Sequence, residues 1–408
     1  MKKVLVFLSL FVVFSFAVSQ QVSLSVSDDG NYAISVDDSG SAYLWNLENN
    51  TSKSLGDNYN ARSAYFVPNS DNYLLQNSKT KEVTVFDSNQ KVIKKFTPEF
   101  IADNQAINSN LTTWVGSLPW GDSYQYDLIT GKKKQIYVSW SYTKSEHSPY
   151  WRGNPYKGGL PNGYVINNQF NFANNNTLIM TADNIMIIYY AKEHKWKLIN
   201  KNVNRTMSAI DPNGKFVYTA DNGLAGIKYN LETNEISNIA LYYPDDNLKN
   251  ISYIQPTENA KKKFLYNGLT NFKFIDKNKI IVTFKGVNQP YLWAFTFDTT
   301  KLDWSNNTKW KRPVFFSKNY LPLVDNPMDY IIGNYTTGAD AKPYPSTTGY
   351  NTTFDTSIEA HKLVMAQANG NGIMVYNYNP SDESLKLDWV GEPPKAEEQK
   401  KESKGWFW

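Results

Sequence analysis

Two segments of the chain combine aromatic rings with a cationic side chain, which suits the binding of sugars or peptides. A flat ring stacks on a sugar face or an apolar side chain, and a guanidinium binds a carboxylate. The alternative is that the rings pack these segments against the rest of the protein, because segments this long need something to order them. The candidate ligand contacts are Tyr142, Tyr150, Trp151, Arg152 and Tyr156 in residues 139–163, and Trp310, Arg312 and Tyr335 in residues 306–350.

Four carboxylates in the same two segments are candidates for acid–base chemistry. A pair of carboxylates can divide the acid and base work on a glycosidic bond. A carbohydrate-active enzyme, either a glycosidase or a lyase, is therefore the alternative to a binding protein. Carboxylates of this kind also solvate loops and cap turns, so we assign no catalytic residue. The four are Glu146, Asp325, Asp329 and Asp340.

Familiar catalytic and metal-binding patterns are missing from the sequence. His147, His194 and His361 are scattered, and none lies in an HExxH motif. The sequence has no GxSxG, GxxxxGK[ST] or GxGxxG motif in the required context. The absence of cysteine excludes a thiolate zinc site and a cysteine nucleophile. We therefore predict no metal ion and no cofactor.

A repeat of about 40 residues must position these candidates. Each unit alternates apolar and polar residues with the period of a β-strand, between turns rich in Asp, Asn, Gly and Ser. The first unit, residues 22–56, is predicted to form four strands. The third strand usually ends in an aromatic residue followed by Asn or Asp, as at Trp45-Asn46, Phe86-Asp87, Tyr126-Asp127, Tyr229-Asn230, Phe297-Asp298 and Tyr376-Asn377.

The spacing of this aromatic marker predicts seven units. Tyr189-Tyr190 supplies the marker of the fourth unit, and the longer intervals contain insertions at 139–163, 243–263 and 306–350. Four strands in about 40 residues is the period of a propeller blade. We therefore predict an all-β protein, a seven-bladed β-propeller. Eight blades are the alternative, with the eighth between Trp304 and Tyr350.

The repeat resembles the WD40 and YVTN-like β-propeller superfamily. The resemblance rests on the SDDG and DPNG turns, on strands ending in TAD and on strands ending in an aromatic residue and Asn. It covers almost the whole predicted mature chain and implies the fold. Ordinary WD40 repeats have a Gly-His pair and end in Trp-Asp. In this chain only Trp45-Asn46 approaches the Trp-Asp ending. The departure points to a divergent bacterial, exported member.

All three insertions are predicted to follow a fourth strand and to precede the next first strand. The third is taken to follow a fourth strand at 299–306. Connections of one class emerge on the same face of a propeller. We therefore expect one face with three long insertions, and because binding residues concentrate on loops carried by a rigid scaffold, we expect the ligand there.

The first 20 residues have the layout of a secretory signal peptide. Lys2 and Lys3 precede an apolar run that starts at Val4, and the small residues Ala17 and Ser19 follow it. The run is shorter than the roughly 20 residues that span a bilayer. We expect cleavage of residues 1–20 and a mature protein, without a transmembrane segment, that is periplasmic or extracellular.

Residues 392–408 are predicted to form a charged tether with an aromatic end. Trp406, Phe407 and Trp408 are candidates for a partner-binding motif or for peripheral contact with a membrane. A sticky disordered end is the alternative. The propeller is then expected to span residues 21–391.

The charge balance argues against a nucleic-acid partner. The chain has 42 Lys and Arg against 38 Asp and Glu, a formal net charge of +4, and a nearly neutral chain lacks the electrostatic footprint of a nucleic-acid binder. We predict an exported, non-enzymatic binding or scaffold propeller that recognises a protein or a glycan of the cell envelope through its insertion-bearing face.

Overall fold

The chain folds into antiparallel sheets, as described in a computed structural model. In the described residues, 28 strands form seven four-stranded sheets. The structure describes residues 19, 21–118, 122–137, 169–181, 186–199, 207–220, 225–240, 269–285, 292–300, 321–322, 353–367, 371–382 and 384–394.

The first four sheets follow one another along the chain, and each is built from four consecutive strands. Their strands are β1 (Gln21–Val26), β2 (Tyr32–Asp37), β3 (Ala42–Asn46) and β4 (Thr51–Gly56); β5 (Tyr65–Phe66), β6 (Tyr73–Gln76), β7 (Val83–Phe86) and β8 (Val92–Phe96); β9 (Asn104–Ile107), β10 (Thr113–Ser117), β11 (Ser123–Asp127) and β12 (Lys133–Tyr137); and β13 (Gln169–Phe172), β14 (Thr177–Thr181), β15 (Met186–Tyr190) and β16 (Lys195–Leu198).

The last three sheets repeat the same strand order. Their strands are β17 (Met207–Ile210), β18 (Phe216–Ala220), β19 (Ala225–Asn230) and β20 (Ile236–Ala240); β21 (Leu269–Asp276), β22 (Lys279–Lys285), β23 (Leu292–Asp298) and β24 (Leu321–Pro322); and β25 (Phe354–Ser357), β26 (Lys362–Ala366), β27 (Ile373–Asn379) and β28 (Ser384–Gly391).

The sheets form a ring around a central channel, and the predicted β-propeller is confirmed. The first strand of every sheet contributes residues to the wall of one cavity. The apolar core lies between neighbouring sheets, where the two faces of each sheet are buried. In sheet order, the seams contain Ile34 and Leu75, Val85 and Trp114, Val115 and Ile187, Ile188 and Val217, Tyr218 and Phe274, Ile281 and Met374, and finally Val375 and Trp45.

The aromatic marker of the repeat has the two roles that its residue types predict. Its ring fills the space between sheets, since Trp45 and Tyr229 are fully buried. In the first, second, third, fifth and sixth sheets, the Asn or Asp that follows caps the outer turn with its side-chain oxygen. In the seventh sheet Asn377 lies within β27, and Asn379 caps the turn instead. Asn46 Oδ1 accepts the N–H of Asn49 at 2.9 Å, and Asp127 Oδ1 accepts the N–H of Ile129 at 2.9 Å.

The fourth strands form the outer edges of the sheets, where unpaired backbone groups invite another strand to pair. Charged side chains on an edge strand oppose such pairing. Five of these strands carry an exposed lysine, at Lys53, Lys95, Lys134, Lys195 and Lys386.

The fourth strand of the sixth sheet is not where the sequence predicted it. In the described residues, Leu321–Pro322 pairs with β23, whereas the prediction placed this strand at 299–306. The predicted third insertion therefore divides. Its first part, with Trp310 and Arg312, lies between a third and a fourth strand, and its second part, with Tyr335, precedes β25. The expectation that all of it emerges on one face is wrong for the first part.

The ring closes between its first and last sheets without sharing a strand. Lys362 Nζ donates to the Gly30 carbonyl at 3.2 Å, and Ser357 Oγ donates to the Asp28 carbonyl at 2.6 Å. The Trp45 and Trp389 rings meet edge to face with centroids 6.2 Å apart. Closure therefore depends on side-chain packing and hydrogen bonds.

A pair of glycine substitutions tests this seam. Gly30 and Gly131 both have φ of 70°, so alanine adds the same backbone strain of about 1 kcal/mol at either position. A Cβ on Gly30 would overlap with the Cβ of Ala360 across the seam, whereas nothing lies within 4 Å of a Cβ on Gly131. We expect Gly30→Ala to cost about 1–3 kcal/mol more than Gly131→Ala in urea unfolding. Equal costs would contradict a close-packed seam.

Candidate functional site

The antiparallel order gives the ring two distinct faces. All first strands begin on one face, which we call the entry face, and end on the other, which we call the exit face. Connections from a fourth strand to the next first strand, and from a second to a third strand, lie on the entry face. Connections between first and second strands, and between third and fourth strands, lie on the exit face.

The central channel is a cavity of about 580 Å³. Small-molecule sites in proteins have volumes of roughly 300–1,000 Å³. Five charged residues lie in its wall, in order from the entry face Arg62 and Asp103, then Lys273 and Asp355, then Asp28. The channel is therefore a concave, charged feature of a size that suits a small ligand.

Backbone N–H groups at the free edge of an inner strand donate hydrogen bonds to side chains of the neighbouring inner strand. Ser23 Oγ accepts the N–H of Ala64 at 3.2 Å, and Ser25 Oγ accepts the N–H of Phe66 at 3.0 Å. Because unpaired buried backbone groups are costly, these bonds hold β1 and β5 in register around the channel.

Asp355 links three inner strands in the middle of the channel. Its Oδ2 accepts from Val26 N–H at 3.0 Å and from Ser25 Oγ at 3.1 Å. Its Oδ1 lies 3.1 Å from Lys273 Nζ. The carboxylate thus joins β1, β21 and β25, and it positions Lys273.

Arg62 and Asp103 form an ion pair at the entry mouth, with Arg62 Nη1 2.6 Å from Asp103 Oδ1. The Arg62 side chain is 54% exposed and the Asp103 side chain only 11%. Burial raises the pKa of the Asp103 carboxyl, and Arg62 opposes this rise. The pair therefore presents its guanidinium to the mouth and its carboxylate to the wall.

A partly buried polar network holds this pair in place. Asn60 Nδ2 donates to the Ala102 carbonyl at 2.6 Å, and Asn60 Oδ1 accepts the N–H of Arg62 at 3.2 Å. Gln76, which is fully buried, accepts the N–H of Ala102 at 2.8 Å. The segments that carry Arg62 and Asp103 are thereby fixed to each other.

The exit mouth is acidic. Asn69 N–H donates to Asp28 Oδ2 at 2.6 Å. Partial burial raises the pKa of the Asp28 carboxyl, the Asn69 bond opposes the rise, and the charges of Asp355, Glu359 and Asp29 add to it. Burial also raises the pKa of Tyr65, with Asp355 and Asp28 contributing. Among the described residues, no group of three or more His, Cys, Asp or Glu is placed to hold a metal ion.

The site residues predicted from the sequence lie outside the described residues. This holds for the five candidates in 139–163, the three in 306–350, the aromatic tail and the four candidate carboxylates. Two histidines are described, and neither lines the channel. His194 Nδ1 lies 3.2 Å from the Tyr189 hydroxyl, and His361 Nδ1 lies 3.3 Å from the Ile275 carbonyl.

Sequence reasoning missed the charged residues of the channel. Lys273 lies between two Phe residues in the first strand NFKFID, and Asp355 is the charged residue of the first strand FDTS. A charge within an inner strand was the available signal. Arg62 and Asp103 precede their strands and carry no comparable signal.

Comparison with known proteins shows the fold. No protein-family model and no curated protein sequence matches the chain. Hsv2 of Kluyveromyces lactis with loop 6CD replaced by a Gly-Ser linker is 10% identical over 92% of this chain and 100% of that chain, with a TM-score of 0.52. Hsv2 of Kluyveromyces marxianus is 11% identical over 92% and 99%, with a TM-score of 0.51. The β-propeller domain of Myceliophthora thermophila Cps50 (Swd1) is 9% identical over 88% and 98%, with a TM-score of 0.53.

The chain therefore has a WD40-like β-propeller fold. Identities this low show the fold alone, and these fungal structures do not support the predicted bacterial origin or export. Within the described residues, no helix is long and apolar enough to cross a membrane.

Proposed function

We propose that this protein is an exported, non-enzymatic binding propeller that recognises a protein or an envelope glycan through its entry face. The observation that carries the proposal is topological. Residues 138–168, 241–268 and 323–352 each connect a fourth strand to the next inner strand. Three long connections thus start and end on the face where Arg62 and Asp103 flank the channel mouth. We take each of the seven sheets as one blade, so the proposed propeller has seven blades.

The candidate ligand contacts on this face are now fewer. Tyr142, Tyr150, Trp151, Arg152 and Tyr156 belong to the first of these connections, and Tyr335 belongs to the third. Trp310 and Arg312 belong to the connection between β23 and β24, which starts on the exit face. They are therefore dropped from the proposed surface.

Export and the tail remain proposals on sequence grounds. The basic start, apolar run and small residues of 1–20 support a cleaved signal peptide and a periplasmic or extracellular location. The Trp406, Phe407 and Trp408 end supports a second contact, with a partner or a membrane surface.

A carbohydrate-active enzyme is the second candidate function. Glu146 lies in the first entry-face connection, and Asp325, Asp329 and Asp340 lie in the third. Carboxylates from two connections on one face can meet over a bound glycan, which is the arrangement that glycosidic cleavage needs.

Retention of envelope components tests the proposal. Protein lacking residues 1–20 is immobilised and exposed to envelope extract and, in parallel, to purified peptidoglycan and polysaccharides. We expect retention of one protein or glycan, and loss of it in a variant with Tyr150→Ala, Trp151→Ala and Arg152→Gln. A variant with Trp310→Ala and Arg312→Gln serves as the control and should retain it.

Two outcomes would contradict the proposal. Loss of retention only when residues 395–408 are removed would place recognition in the tail. Release of reducing ends from a polysaccharide would show an enzyme, and Glu146, Asp325, Asp329 and Asp340 would then be replaced singly.

A further inference from the structure

We propose that the central channel is a separate site for a short zwitterionic ligand, a peptide of about four residues with free termini. Arg62 binds its carboxylate at the entry mouth, and Asp28 binds its ammonium group at the exit mouth. This site goes beyond the proposed recognition on the entry face.

The entry end of the channel is suited to a carboxylate. Among the described residues, the Arg62 guanidinium makes one ion pair, through Nη1 to Asp103. A guanidinium has five N–H donors, and its planar fork matches a carboxylate. Because the side chain is 54% exposed, the other donors can reach a ligand in the mouth.

The exit end is suited to a cation. In the described part of the chain, Asp28 accepts a backbone N–H from Asn69 but has no cation within ion-pair distance. Partial burial raises the pKa of the Asp28 carboxyl. The negative charges of Asp355, Glu359 and Asp29 add to this rise. An ammonium group there would relieve the repulsion between these carboxylates.

The middle of the channel is neutral and rigid. Lys273 and Asp355 form an ion pair with each other, and the Asp355 carboxylate is also bonded to β1. The net charge of the channel wall therefore lies at the exit end, on Asp28, whereas the entry end offers the remaining guanidinium donors of Arg62, which is paired with Asp103. A ligand with one charge of each sign has a single favoured direction.

The register between β1 and β5 sets the length of the ligand. The backbone N–H groups of Ala64, Phe66 and Asn69 donate to the side chains of Ser23, Ser25 and Asp28 in turn. Each pair is 41 residues apart, so the two segments run side by side. β1 is extended from Gln21 to Val26, about 16 Å at roughly 3.3 Å per residue. Arg62 lies in the turn before β5, and Asp28 lies in the turn after β1. An extended peptide of four residues spans about 13–14 Å, and the Arg62 side chain covers the remainder.

Matched peptides test the site. The probes are tetra-alanine, N-acetyl-tetra-alanine and tetra-alanine amide, titrated into the full chain by calorimetry or ligand-observed NMR. We expect tetra-alanine to bind and either blocked peptide to bind at least tenfold more weakly. Equal binding of all three, or no binding of tetra-alanine at 10 mM, a concentration of the order expected for a weak site, would overturn the proposal.

Two variants assign the ends. Arg62→Gln should weaken the binding of tetra-alanine at least tenfold and leave the affinity for tetra-alanine amide unchanged. Asp28→Asn should also weaken the binding of tetra-alanine at least tenfold, but it should leave the affinity for N-acetyl-tetra-alanine unchanged. Lys79→Gln, on the entry face outside the channel wall, is the control and should change neither. Unchanged binding in Arg62→Gln and Asp28→Asn would also overturn the proposal. Retention of the entry-face ligand is measured on the same variants, so failure of one site is distinguishable from failure of the other.

Discussion

Replacing Trp45 by alanine is expected to lower the free energy of unfolding by about 3–5 kcal/mol, the usual cost of removing a large buried aromatic side chain. Trp45 is fully buried and lies in the cluster shared by the first and last sheets. Its ring contacts Trp389, and its Nε1–H donates to Ser35 Oγ at 2.7 Å. The variant therefore loses packing at the seam that closes the ring.

The measurement is urea unfolding followed by tryptophan fluorescence and circular dichroism. Ser35→Ala is the matched control, because it removes the acceptor of the indole N–H and keeps the ring. It should cost about 1–3 kcal/mol, the penalty for an unsatisfied buried donor. A cost below about 1 kcal/mol for Trp45→Ala would contradict the account of closure, since large-to-small core substitutions of this size are otherwise expensive.

Asp355→Ala is expected to cost about 3 kcal/mol, because it leaves Lys273 without its partner and removes the acceptor of two further bonds. The Lys273 and Asp355 side chains are only 26% and 16% exposed, so water compensates little. The double variant Asp355→Ala with Lys273→Met should recover part of the loss, since it removes the unpaired charge. Thermal unfolding of the single and double variants measures this coupling. No recovery in the double variant would contradict the role assigned to the pair.

Much of the fold could be predicted from the sequence, because ring burial and turn capping require particular residue types at fixed positions of each repeat. An aromatic ring such as that of Trp45 is buried between sheets, and six of the seven units follow it with Asn or Asp, as at Asn46, so the pattern marks most third strands. The fourth strand of the sixth sheet could not be predicted in this way. Leu321–Pro322 is two residues long and has no alternation to detect.

The channel was harder to predict because it is made by contacts between residues far apart in the chain. The alternation of apolar and polar residues shows which residues share one face of a strand. It does not show which inner strands approach one another. Asp355 and Ser25 are separated by 330 residues and meet only when the ring closes. The sequence predicted connections that carry candidate ligand residues, and the structure added a charged channel mouth on the face where three long connections start and end.

Photo-cross-linking from the two faces tests the central claim most directly. A photo-reactive amino acid is introduced in place of Lys79, on the entry face, or of Lys132, on the exit face. Both lysines are exposed in turns, where the N–H of Lys79 donates to Asn77 Oδ1 and the N–H of Lys132 donates to Thr130 Oγ1. Each protein is irradiated with the retained envelope component. A cross-link from position 79 and none from position 132 is the predicted result, and a cross-link from position 132 alone would contradict recognition through the entry face.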